Sequence, residues 1–141
     1  MIEHLFNKCL YFTVSKLSRT ITKMAEEEFA KTGLSPTYGF LLMTVNEKPG
    51  ISQNEICEVL HIAPSTLTRF IDKLEGKGLV ERKSEGKNSF IYSTEKGKEQ
   101  QNEIEKAWQS LYHRYSEILG YEEGDKLTEI VNDAVNKLEK K

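Results

Sequence analysis

The chain has 141 residues, 38% of them hydrophobic and 30% charged, with a net charge of −2. That composition suits one soluble globular domain and excludes a disordered or fibrous chain. The apolar runs are too short to span a bilayer, and Glu3, His4, Asn7 and Lys8 break up the N-terminus where a secretory leader would be apolar, so the cytoplasm is the expected compartment. Two cysteines, Cys9 and Cys57, make neither a disulfide framework nor a zinc spacing, and His4, His61 and His113 are scattered. No cofactor or metal is expected.

In chain order, Ile2, Leu5, Cys9, Phe12, Leu17, Ile21, Met24 and Phe29 recur at helical intervals, which predicts one long helix over 2–31, stopped by Gly33. Ser35-Pro36 restarts the chain as an N-cap followed by proline, and the nearly all-apolar run Phe40 to Val45 predicts a central buried helix ending at Pro49-Gly50. Ser52, with Glu55 three residues on, has the spacing of a reciprocal capping box for a short helix carrying Ile56, Val59 and Leu60. His61-Ile62-Ala63 leaves room for a turn only. A second helix starts at Pro64, buries Leu67, Phe70, Ile71 and Leu74, and turns Ser65, Thr66, Thr68, Arg69, Asp72 and Lys73 the other way, until Gly76 and Gly78 stop it. Leu79–Lys83 and Phe90–Tyr92 have strand character around the polar turn 84–89.

Helix, turn, helix, hairpin is the pattern of a winged helix-turn-helix. Small hydroxyls and an arginine at the start of the second helix are residue types that read base edges, since Ser and Thr donate or accept and Arg forks onto guanine. Pro64, Ser65, Thr66, Thr68, Arg69 and Lys73 on that helix, with Arg82, Lys83, Lys87 and Asn88 on the hairpin, are therefore the candidate DNA contacts. Charge agrees: residues 61–98 hold eight Lys/Arg against five acids, whereas 99–141 hold six against ten. The rival reading is a winged helix that docks protein. Nothing points to an enzyme: there is no nucleophile motif, phosphate-binding glycine loop or histidine–carboxylate spacing.

Thr94 then caps a helix predicted to run to Leu119, apolar at Ile104, Ala107, Trp108, Leu111, Tyr115 and Ile118, and broken at Gly120. A last helix over 123–140 carries Leu127, Ile130, Val131, Ala134, Val135 and Leu138 on one face. These terminal helices exceed what a small DNA-binding head needs, and their leftover apolar surface predicts a homodimer. A dimer also supplies two recognition helices about 34 Å apart, one duplex turn. The expected organisation is a single domain over 1–141, with a head over 34–98 and dimerisation helices over 1–33 and 99–141.

The block Arg69-Phe70-Ile71-Asp72-Lys73-Leu74-Glu75-Gly76-Lys77-Gly78-Leu79-Val80-Glu81-Arg82 resembles the R-x-x-D-x-L-E-x-x-G-L-V-x-R signature of the MarR family of bacterial transcriptional regulators. The run Glu85, Gly86, Lys87, then Ile91-Tyr92-Ser93-Thr94-Glu95-Lys96-Gly97 is similar to the family's wing, with Glu for Asp, Lys for Arg and Ser93 for Leu. Lys87 keeps the charge without the flat bidentate fork of arginine. The resemblance implies a mainly α dimeric repressor of a pseudo-palindromic operator in double-stranded DNA. It also implies release by a small phenolic effector, for which Tyr11, Arg19, Tyr38 and Tyr112 are the candidate crevice, or by oxidation of Cys9, which is placed similarly to the sensing cysteine of the organic-hydroperoxide branch.

Overall fold

The computed structural model describes residues 1–140, a mainly helical chain with one small sheet. The first helical region comes in pieces: α1 (Ile2–Phe6), then α2 (Leu10–Phe29), then a single 3-10 turn over Ala30–Thr32. The single helix expected over 2–31 is thus interrupted at Asn7–Cys9, where Cys9 adopts an extended backbone (φ −93°, ψ 121°) and becomes the N-cap of α2. Phe6 and Phe12 pack across this break with ring centroids 5.2 Å apart, so the apolar pattern runs on although the helix does not.

Ser35 accepts from the Tyr38 amide at the start of α3 (Pro36–Glu47), whose Leu41, Leu42 and Val45 are wholly buried. A two-residue strand β1 (Ile51–Ser52), absent from the sequence reading, leads into α4 (Gln53–Leu60). Ser52 caps α4 by accepting from the Glu55 amide, but Glu55 does not close the box: its carboxylate pairs with Lys48 at 2.6 Å. His61 ends α4 in the left-handed region at φ 58°, and the Ile62 amide donates back to the Cys57 carbonyl at 3.2 Å, which turns the chain sharply into α5 (Pro64–Gly76).

The hairpin is longer than expected. Strands β2 (Val80–Glu85) and β3 (Asn88–Ser93) pair in register from Val80↔Ser93 to Glu85↔Asn88, leaving a loop of Gly86-Lys87 where 84–89 had been expected as turn. Gly86 at φ 61° supplies the positive dihedral that a two-residue hairpin needs at its first position. The sheet order is β1-β3-β2, all antiparallel. Thr94 caps α6 (Glu95–Glu99) through the Gly97 amide, and α7 (Gln101–Leu119) follows from a joint at Gln100, so the helix expected to Leu119 is jointed near its base. Gly120 separates α7 from α8 (Tyr121–Glu139).

One core joins α3, α4, α5, the sheet and the base of α7, through Leu42, Ile56, Leu67, Ile71, Ile91 and Ile104. It holds the helix-turn-helix and the hairpin as one unit. Arg114 ties the long helices together by reaching Glu27 and Glu28 on α2, each at 3.0 Å.

Candidate nucleic-acid interface

Helix α5 is amphipathic in the simplest way. Leu67, Ile71 and Leu74 are fully buried, while Ser65, Thr68, Arg69 and Lys73 face solvent. Thr66 is half-buried, and Phe70 is committed to an edge-on stack with Tyr38, centroids 4.8 Å apart. Pro64 opens the helix at its first position, where its missing N–H costs no bond.

The hairpin is locked to this helix by one side chain. Arg82 donates through Nη2 to Asp72 at 2.7 Å, through Nη1 to Glu75 at 3.5 Å and through Nε to Gln53 at 3.3 Å, and its backbone amide donates to Glu75 at 3.2 Å. These partners lie on α5 and α4. Arg82, expected on the interface, therefore spends its guanidinium inside the protein and bridges the three elements. Gln53, which the sequence did not single out, is the hinge of that network, since it also reaches Thr68 at 3.4 Å.

Lys83 sits over the Tyr92 ring at 4.7 Å and is exposed. Lys87 and Asn88 are exposed at the hairpin end, and together with Ser89 they face Ser52, Gln53 and Asn54 across a polar notch of about 130 Å³. The start of α4 thus adjoins the hairpin tip across this notch and α5 through the Gln53–Thr68 hydrogen bond, and the exposed cations Arg69, Lys73 and Lys87 lie on α5 and the hairpin tip.

Of the residues proposed to line an effector crevice, Tyr11 and Arg19 share an open groove of about 630 Å³ with Leu10, Val14 and Leu138. Tyr38 and Tyr112 do not join them. Tyr38 packs on Phe70, and Tyr112 donates to Asp125 at 3.0 Å among Trp108, Tyr115 and Tyr121. That hydrogen bond is the main cause holding the Tyr112 phenol above its ordinary range. Cys9 is exposed, and Cys57 on α4 is half-buried, its thiol pushed up by burial and by the Glu58 carboxylate. Among the described residues no group of His, Cys, Asp and Glu is arranged to hold a metal ion, and no helix is long and apolar enough to cross a membrane.

A short helix, a tight turn, an amphipathic second helix and a hairpin clamped to it define a winged helix-turn-helix protein. The family comparison is specific about which kind. The MarR family model matches residues 34–88. The transcriptional regulator SarZ of Staphylococcus epidermidis is 30% identical over 132 residues, covering 92% of this chain and 86% of SarZ. The uncharacterised regulator YybA of Bacillus subtilis is 28% identical over 88 residues, which cover 60% of this chain and 59% of YybA. Among solved structures, the repressor CouR bound to a 23-mer DNA duplex superposes with a TM-score of 0.83 at 22% identity, covering 92% of this chain and 94% of CouR. The chain belongs to the MarR family of transcriptional regulators.

Proposed function

We propose that the protein is a homodimeric repressor that binds a pseudo-palindromic operator in double-stranded DNA, acting in the cytoplasm. In this reading residues 34–98 form the DNA-binding head, and the helices of 1–33 and 99–141 carry dimerisation. Helix α5 enters the major groove, where Ser65, Thr68 and Arg69 meet base edges. Pro64 and Thr66 sit at the groove rim, and Lys73, Lys83, Lys87 and Asn88 take phosphates. Arg82 contributes by positioning, because it fixes the hairpin against α5. The observation that carries the reading is the polar, cation-bearing side of α5, opposite a wholly buried stripe and linked through Gln53 of α4 to the hairpin.

Two release signals have support in the molecule. The groove beside Tyr11 and Arg19 offers apolar walls and one guanidinium, which suits a small aromatic carboxylate or phenol. Cys9 offers an exposed thiol at the joint between α1 and α2.

The test is operator binding across a salt series. Affinity falls steeply with salt if phosphates are neutralised. Arg69→Ala costs about 1–3 kcal/mol on the operator and relaxes specificity, whereas Lys87→Ala weakens all sequences alike and lowers the salt slope by about one. Binding without salt dependence, unchanged in both variants, assigns this surface to a protein partner instead.

A further inference from the structure

Thr68 is exposed on α5, and its neighbours decide what its hydroxyl has left to offer DNA. The chain of hydrogen bonds begins at Arg82. A guanidinium has donors only, so the Gln53 atom 3.3 Å from Arg82 Nε must be the amide oxygen. That choice sets the Gln53 NH2 group toward Thr68, 3.4 Å from Oγ1, and an NH2 group also only donates. Thr68 Oγ1 therefore accepts from Gln53. On its other side Thr68 Oγ1 lies 3.0 Å from the Pro64 carbonyl, which only accepts, so the hydroxyl proton is given to Pro64.

A hydroxyl has one proton and two lone pairs. Here the proton and one lone pair are committed, and one lone pair remains. We infer that the Thr68 hydroxyl is a one-sided specificity determinant, an acceptor that selects a base presenting an amino group in the major groove, adenine or cytosine, over guanine and thymine, whose hydrogen-bonding groups there are acceptors only. Arg69, the next residue, carries donors only, so consecutive side chains of α5 read opposite polarities. Gln53 is a positioning residue: it never meets the base and acts by holding the Thr68 hydroxyl in place. Arg82, anchored by Asp72 and Glu75, sets the direction of the whole chain.

The inference rests on the DNA-binding reading above, and one experiment separates the two. Operators are selected from random duplex DNA with the wild type, Thr68→Val, Thr68→Ser and Gln53→Leu, with thermal melting of each variant to verify folding. The position whose preference relaxes in Thr68→Val is the one Thr68 faces. It is expected to be adenine or cytosine, kept in Thr68→Ser and broadened in Gln53→Leu. Replacing that base by an analogue lacking the exocyclic amino group then weakens the wild type about 2–10-fold and leaves Thr68→Val unaffected. A guanine or thymine at the relaxed position overturns the inference, as does an operator selected identically by wild type and Thr68→Val. An unaltered preference in Gln53→Leu removes its positioning role. Failure of the wild type to select any DNA overturns the DNA-binding reading itself.

Discussion

Cys9 and Cys57 sit in opposite surroundings. Cys9 is exposed at the start of α2, whereas Cys57 packs against the core and its thiol is held up by burial and Glu58. The thiolate is the reactive species, so limited iodoacetamide near neutral pH is expected to label Cys9 well before Cys57, read by peptide mass spectrometry. If oxidation is the release signal, a hydroperoxide abolishes operator binding in the wild type and spares Cys9→Ser. Equal behaviour of the two proteins assigns release to a small ligand. The orientation of the α5 side chains was legible in the sequence. The outward set on α5 follows from periodicity alone, because the buried stripe of Leu67, Ile71 and Leu74 leaves no other orientation. Arg82 was not legible as an internal clamp: a cation on a hairpin reads as a DNA contact until Asp72, Glu75 and Gln53 are seen around it.

Among the elements, the junction of the hairpin with α6 is tight. Thr94 caps α6 and also donates to the Gly78 carbonyl at 2.6 Å, and Gly97 lies flush on β2's entry. A Cβ added at Gly97 would fall 2.2 Å from the Leu79 carbonyl oxygen, a backbone atom that cannot rotate away. The spacing of Thr94 and Gly97 thus has a mechanical reason: the threonine starts the helix and the glycine lets it touch the strand. Gly97→Ala is expected to destabilise the fold by about 1–3 kcal/mol, the usual penalty of forced overpacking, measured by denaturant unfolding. An unchanged midpoint would mean that α6 moves freely off the hairpin. Element boundaries are less legible than element types in this sequence. Apolar periodicity continues through Leu5, Phe6, Leu10 and Phe12 and hides the break at Asn7–Cys9. β1 is two residues long and makes sense only beside Ile91 and Phe90, which are forty residues away or nearly so. The polar 84–89 run read as loop because its strand character comes from pairing, not from side-chain type.

For the whole molecule, the helices outside the head leave apolar surface uncovered. On α8 only Gly124 is buried, while Leu127, Ile130, Val131, Val135 and Leu138 are 38–77% exposed. Across an apolar groove of about 400 Å³ they face Leu10, Val14 and Leu17 of α2, which are likewise open. Taking one such side chain from full exposure to full burial contributes about 1.5–3 kcal/mol, and covering the part still exposed here recovers a fraction of that at each position, so a face of this length is a costly one to leave in water. A second copy of the chain is the occupant that also serves the proposed function, since a pseudo-palindrome needs two heads held at a set distance. The far end of α8 reaches back to its own head, where Glu139 lies 2.6 Å from His61 in the turn before α5. Sedimentation of the wild type at micromolar concentration is expected to show a dimer. Leu127→Glu with Val131→Glu, which strands two carboxylates in the covered face, is expected to give monomers that lose cooperative operator binding. A wild type that sediments as a stable monomer overturns this architecture whatever the variant does, because the exposed faces of α2 and α8 would then need no second copy.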